Sequence, residues 1–347
     1  MPAGMAFGHC IERASARAVA FRVARRRLAF AGAAIALAGV PALAAPRANA
    51  RIGYLERVKE SDGEMLYRDF VEAMQAKGYR TGRNLLISRR SGNAQPERLR
   101  SLAAALAIEK LDLIVATTTE AAKAARVAAP RTPVVFVISG DPVLEGLVAS
   151  IARPGGNATG LVTRNEDLTG KRLQLMKDAF PRMRTVAFVG SNVSMARTDA
   201  ASAAARLGLV LVTYAINHPD DYRDQAAAIM RGASDAVLVV EDADEIVGLT
   251  AFTLLMMATR RPVMFTADVF AESAGSGAGL MAYGVSLHEL YRRAAALVAR
   301  VLEGAKPADV PVEQPTRYEL VINLRAAEQY GIALPREFLA RADRLIR

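Results

Sequence analysis

Four short runs set the architecture of this chain: 112–116 (DLIVA), 134–138 (VVFVI), 185–189 (TVAFV) and 236–240 (AVLVV). Apart from a leading Asp or Thr they are apolar at every position, rich in β-branched residues, and too short for a core helix. A run of this kind is a strand buried on both faces, the condition of a parallel sheet covered by helices. Polar residues close each run: Thr117-Thr118-Thr119, Ser139-Gly140-Asp141, Gly190-Ser191-Asn192 and Glu241-Asp242. A helix-like stretch follows in each case. The repetition of strand, polar turn and helix predicts an α/β fold with two doubly wound parallel-sheet lobes. Such sheets hold small polar ligands in the loops at the carboxyl ends of their strands.

The helices carry start signals. Ser61 and Glu64 form an S-x-x-E box opening a helix to about Lys77; Thr117 and Glu120 form a T-x-x-E box opening one to Ala129; Ser286 and Glu289 form a third box. Asp141 followed by Pro142 reads as the cap and first residue of a helix to about Ala152, which Pro154-Gly155-Gly156 ends. Further helices are expected over 168–180, with Lys171 and Arg172 exposed, and over 220–230, 245–259 and 335–346. Gly275-Ser276-Gly277-Ala278-Gly279 lacks the spacing of a dinucleotide-binding turn.

The net charge of +10 is concentrated at one end, where residues 1–50 hold seven Arg and one Glu and leave only +4 for residues 51–347. A charge that small, spread over some three hundred residues, does not make a nucleic-acid groove, and no nucleic-acid partner is expected. Arg22, Arg25, Arg26 and Arg27 precede an uncharged stretch, 28–45, followed by two small-x-small sites, Ala42-Leu43-Ala44 and Ala48-Asn49-Ala50. Basic, then apolar, then A-x-A describes a cleavable export signal over 1–50 and a periplasmic mature protein, cut after Ala44 or Ala50. Cys10, the single cysteine, falls inside that signal, so the mature chain carries neither thiol nor disulfide. His218 and His288, the two histidines beyond it, have no ligand spacing; they read as surface or helix-start residues, and no metal or cofactor is expected.

Several segments resemble the solute-binding proteins of ABC importers in the tryptophan/aromatic amino-acid-like group. They are Arg153-Pro154-Gly155-Gly156-Asn157-Ala158-Thr159-Gly160-Leu161, Leu168-Thr169-Gly170-Lys171-Arg172-Leu173, Gly304-Ala305-Lys306-Pro307-Ala308-Asp309, Pro311-Val312-Glu313-Gln314-Pro315-Thr316 and Glu319-Leu320-Val321-Ile322-Asn323-Leu324. Their order along nearly all of 51–347 makes the likeness specific. The resemblance implies a type I periplasmic-binding-protein fold, with two lobes joined by three crossovers and closing on a ligand. Lobe 1 would comprise 51–163 and 283–314, lobe 2 164–282 and 315–347. It also implies a monomer that captures a small solute and delivers it to an ABC permease in the inner membrane. The chain departs from the family pattern at Glu241-Asp242-Ala243-Asp244 and at Ala282, both near the expected cleft.

An amino acid or related carboxylate is the expected solute. Its carboxylate would be met by backbone N–H groups and hydroxyls at the strand ends of lobe 1, from Thr117, Thr118, Thr119, Ser139 and Asp141. Lobe 2 would face it with Ser191 and Asn192, with Asp242 or Asp268 pairing an ammonium group, and with Tyr283 as a wall or hydroxyl donor. Thr117, Thr118 and Asp141 are equally readable as plain helix caps. The sequence holds no nucleophile–base pair, metal cluster or phosphate loop, so an enzyme is not expected. A solute-binding partner of a membrane sensor and a ligand-sensing regulator domain are the other readings.

Overall fold

The computed structural model describes residues 49–93, 95–138, 140–164, 168–191, 198–216, 221–240, 260–272 and 279–347. Strands β1 (Ala50–Glu56), β2 (Leu85–Ser91), β3 (Leu113–Ala116), β4 (Val134–Ile138) and β5 (Ala158–Val162) pair in the order β2-β1-β3-β4-β5, all parallel. Between them run α1 (Glu60–Ala76), α2 (Arg98–Ala107) and α3 (Thr119–Ala128). A second sheet follows, with α4 (Thr169–Ala179), β6 (Thr185–Gly190), α5 (Ala200–Arg206), β7 (Val210–Ala215), α6 (Asp221–Arg231), β8 (Ala236–Val240), β9 (Val263–Phe265), α7 (Asp268–Glu272) and β10 (Met281–Gly284). The chain then crosses back as α8 (Leu287–Leu302), packs on α1, β3, β4 and β5, and returns as β11 (Glu319–Asn323), α9 (Leu324–Tyr330), α10 (Arg336–Leu339) and β12 (Arg344–Ile346). The second sheet reads β12-β11-β10-β9-β8-β6-β7, and only the β10–β11 pairing is antiparallel. Three passages therefore link two α/β lobes, after β5, after β10 and before β11. The helix expected over 245–259 and the glycine-rich loop at 275–279 lie largely outside the described residues.

The runs read as strands are strands because both faces are covered. Every residue of β3, β4, β5 and β8 is buried. One apolar cluster lies on the α1/α8 face of the first sheet and continues through Val237, Phe265 and Phe270 of the second. α8 supplies its largest share. The Ser286 hydroxyl accepts from Glu289 N at 3.3 Å and starts the helix as the S-x-x-E box predicts. Leu290, Tyr291, Ala294, Leu297, Val298, Val301 and Leu302 then fall on one buried face. Each fully buried Leu or Val there is worth about 1.5–3 kcal/mol.

Local signals fail where tertiary partners outbid them. Ser61 does not cap α1; its hydroxyl donates to Asp62 at 3.0 Å, and Glu64 is drawn to Arg89 at 2.5 Å. The cap of α3 is Thr118, not Thr117, with Oγ1 accepting from Ala121 N at 3.1 Å. No helix runs from Pro142 to Ala152: Asp141 accepts from Val143 N and Leu144 N at 2.8 and 3.1 Å, and Gly146 at φ +70° ends the chain's coil after one turn. Arg172 is fully buried, not exposed, with Nε donating to the Tyr283 carbonyl at 2.7 Å. The expected terminal helix is cut short because 344–346 pair with the free edge of β11, and Asp343 accepts from Leu320 N at 2.8 Å.

Candidate functional site

The carboxyl edge of the first sheet gathers the polar residues that the strand-end pattern singles out. Strands lie about 4.8 Å apart, so in the order β2-β1-β3-β4-β5 the edge reads Ser91, Arg57, Thr117-Thr118, Gly140-Asp141, Thr163. Thr117, Thr118 and Thr119 are all buried, and Thr117 N bonds Leu55 O at 3.1 Å, which fixes them beside the end of β1. Thr118 holds the N-terminus of the ten-residue α3, whose free N–H groups and dipole favour an anion by about 0.3–2 kcal/mol. Its oxygen accepts from that helix while its hydroxyl proton remains a donor. Asp141 is exposed and holds the turn after β4. Ser139 lies outside the described residues.

Two residues on this edge were not among the sequence candidates. Arg57 follows β1, one strand from Thr117, and its Nε is buried without a hydrogen-bond partner. Thr163 follows β5, is 1% exposed, and its Oγ1 is likewise unpartnered. Buried polar atoms are normally bonded, so an open one at a strand end stands out. Thr163 could have been found in the sequence as the first polar residue after the apolar end of β5, whereas Arg57 follows Glu56 and carries no such signal.

Arg57's neighbour Glu56 is paired within the lobe. It is 1% exposed and accepts from Arg89 Nε at 2.6 Å; Arg89 also donates to Glu64 and the Glu60 carbonyl and lies 4.1 Å over the Tyr67 ring. Burial pushes the Glu56 carboxyl up to about 7, against the pull of Arg89. A carboxyl raised on folding contributes most below its unfolded value near 4.5 and loses that contribution as pH rises through 7. Glu56→Gln is therefore expected to gain on the parent protein by about 1–3 kcal/mol between pH 5 and 8, read from urea titrations at each pH.

The second sheet contributes less to the described edge. Ser191 follows β6 and is half-buried; Asn192 and Asp242 lie outside the described residues. Asp268, 3% exposed, is committed to the protein itself. Its Oδ1 accepts from Val269 N at 3.0 Å and from Leu287 N at 2.9 Å, and its Oδ2 meets Arg344 at 3.3 Å. Tyr283 shares the Met264 face of the sheet, opposite Phe265, with its ring 6.4 Å from Tyr318. The structure thus places Tyr283 on the face away from Phe265 and gives Asp268 three partners of its own, while Thr117, Thr118 and Thr119 lie buried at the carboxyl end of β3.

A separate cavity of about 720 Å³ lies beside the β10–α8 passage, lined among others by Asp268, Glu272, Ser286, His288, Arg292 and Arg344. His288, read from the sequence as an ordinary surface residue, sits between two carboxylates: Nδ1 on Asp69 of α1, and Nε2 on Glu272 of α7 at 3.0 Å. The bond to Glu272 leads in raising the imidazole to about 9. Burial pushes Glu272 up, but its bonds from His288 and Arg344 outweigh that and hold it below the usual carboxylate range. Ligand atoms of Asp268, Glu272 and His288 lie within 4.8 Å of one another, close enough to bracket a cation. Arg344 already meets both carboxylates, however, and a protonated imidazole cannot ligate a metal.

The family model described as "ABC transporter substrate binding protein" matches residues 58–346. A tyrosine-binding protein of Clostridioides difficile (strain R20291) is 26% identical over 276 residues, 78% of either chain. Among solved structures, the ABC domain in complex with L-Trp from Streptococcus pneumonia is 24% identical, with a TM-score of 0.76 over 86% of this chain and 100% of that one. A conserved domain protein from Vibrio cholerae O1 biovar El Tor is 25% identical, with a TM-score of 0.75 over 86% and 99%.

Proposed function

Because the chain belongs to the ABC transporter substrate-binding protein family, with the type I periplasmic-binding-protein fold, we propose that it is the extracytoplasmic component of an importer and captures an amino acid between its lobes. The observation that carries this reading is the lobe-1 edge, where Arg57 Nε lies buried and unpartnered one strand from Thr117, Thr118 and the start of α3. These groups are donors set for a carboxylate, and they stand within about two strand spacings, roughly 10 Å, the span of a small zwitterion. The relatives named for tyrosine and L-Trp support an α-amino acid over a sugar. Lobe 1 is taken as 51–163 with 283–314 and lobe 2 as 164–282 with 315–347. Ser191, Asn192 and Asp242 are taken as the facing wall, Asp268 being held by its own three partners, and a monomer hands its solute to a permease.

Export from the cytoplasm is part of the reading. Ala50 is fully buried in β1, its N–H bonded to Asn84 O at 2.9 Å. Cleavage after Ala44 keeps that strand whole, whereas cleavage after Ala50 removes its first residue. No helix among the described residues is long and apolar enough to cross a membrane.

Micromolar capture requires about 8 kcal/mol, most of it from burial and several hydrogen bonds. In titration calorimetry, L-tyrosine or L-tryptophan should bind at micromolar Kd or better, and the corresponding amides, lacking the anion, at least tenfold more weakly. Arg57→Gln should cost about ten- to hundredfold, the worth of a hydrogen bond to a charged group, and abolish the acid-over-amide preference. Absence of binding across the common amino acids would set the reading aside.

A further inference from the structure

The tie around His288 crosses from one lobe to the other. Asp69 is on α1 and His288 on α8, both packed on the first sheet; Glu272 is on α7, packed on the second. His288 stands four residues past Gly284, where β10 gives way to the crossover. Each carboxylate also has a partner inside its own lobe: Arg292 donates to Asp69 at 3.1 Å, and Arg344 meets Glu272. Losing the imidazole proton therefore unties the lobes without leaving either carboxylate, buried Asp69 or half-buried Glu272, unpaired. The other described bond in this cluster that crosses the passage, Leu287 N to Asp268, does not involve an imidazole and stays.

We propose that His288 is a proton-dependent clasp between the lobes, a positioning residue that biases the equilibrium between lobe arrangements and, through it, solute affinity. Its effect on affinity rests on the solute-binding reading; its effect on lobe geometry does not. The charges that face it are Asp69 of α1, Asp268 and Glu272 of α7, Glu289 and Arg292 of its own helix, and Arg344 of β12, with Arg317 and Glu319 on the far wall of the same cavity. The acids among them favour the charged ring, the bond to Glu272 most of all, and Arg292 and Arg344 neutralise the acids in turn. The imidazole is raised from 6.5 to about 9. A raised base contributes fully below its free value and loses that contribution as pH rises to the bound one, so the clasp is complete near pH 6 and released by about pH 9.5.

The test places spin labels on Val127 of α3 and Val210 of β7, both exposed, as Val127→Cys and Val210→Cys in a Cys10→Ser chain. Pulsed-dipolar distance distributions are compared at pH 6.0 and 9.5. The expected result is a narrow distribution at pH 6.0 that broadens or shifts at pH 9.5, with His288→Gln showing the pH 9.5 distribution at both values. Affinity for the best-bound amino acid should change at least threefold over the same interval in the parent and not in His288→Gln. If His288→Gln fails to fold by circular dichroism, Glu272→Gln takes its place with the same expectation. Identical distributions for parent and variant at pH 6.0, or a pH response that survives in the variant, would overturn the proposal, even if the variant melts at a lower temperature. If no amino acid binds, the distances alone decide for or against the clasp.

Discussion

Asp268→Ala is expected to lower the free energy of unfolding by about 3–5 kcal/mol, the usual cost of removing one partner from a buried charge pair. Nearly all of the side chain is out of water, and it serves three donors: Val269 N, Leu287 N and Arg344. Removing it leaves Arg344 to Glu272 alone and strips an acceptor from the N-terminus of α8, the helix that closes lobe 1. Asp268→Asn keeps an oxygen for Leu287 N and should lose about half as much. Urea titrations followed by circular dichroism decide it; an alanine variant within 1 kcal/mol of the parent would mean that the carboxylate does not hold the crossover. The consequence for function is direct. Weakened solute binding in Asp268→Ala would not identify a ligand contact, because the same substitution loosens the passage between lobes.

Gly160→Ala is expected to destabilise the protein by about 3 kcal/mol or more, at or above the upper end for an overpacked core. A Cβ at 160 would stand 2.1 Å from the Phe136 carbonyl oxygen and 2.4 Å from its ring. The oxygen belongs to the neighbouring strand β4, so β4 and β5 would have to part, and Phe136↔Gly160 is a register pair in the middle of that pairing. Gly279→Ala is a useful contrast, since its Cβ would meet the Phe265 ring at 2.2 Å and a side chain can turn aside where a backbone cannot. A thermal melt of both variants should rank 160 as the more damaging; equal melting temperatures would contradict that account.

Strand positions were legible from the sequence because burial on both faces leaves nothing but apolar residues, as in β4 and β8. Helix starts were legible only where the capping residue had no better partner. Ser286 had none, whereas Glu64 was claimed by Arg89. Arg172 shows the limit most clearly: next to Lys171 it reads as a solvated face, and only the fold reveals that the Tyr283 carbonyl lies opposite it. The Thr117–Thr119 edge was visible as polar residues ending an apolar run. Arg57 was not, since a lone Arg after a strand looks like any surface charge until its Nε is found buried. The partners of His288 were out of reach of any spacing argument, because Asp69 is 219 residues away.

The place of α8 in the first lobe has a bearing on how the chain is made. It lies against β3, β4 and β5, yet some hundred and twenty residues of the other lobe separate it from β5 in sequence. Until the ribosome has delivered residue 302, that face of the amino-terminal sheet is covered by α1 alone, and the apolar surface over β3, β4 and β5 stays open. The first half of the polypeptide therefore cannot complete its core during synthesis, a delay of the kind that contacts distant along the chain impose.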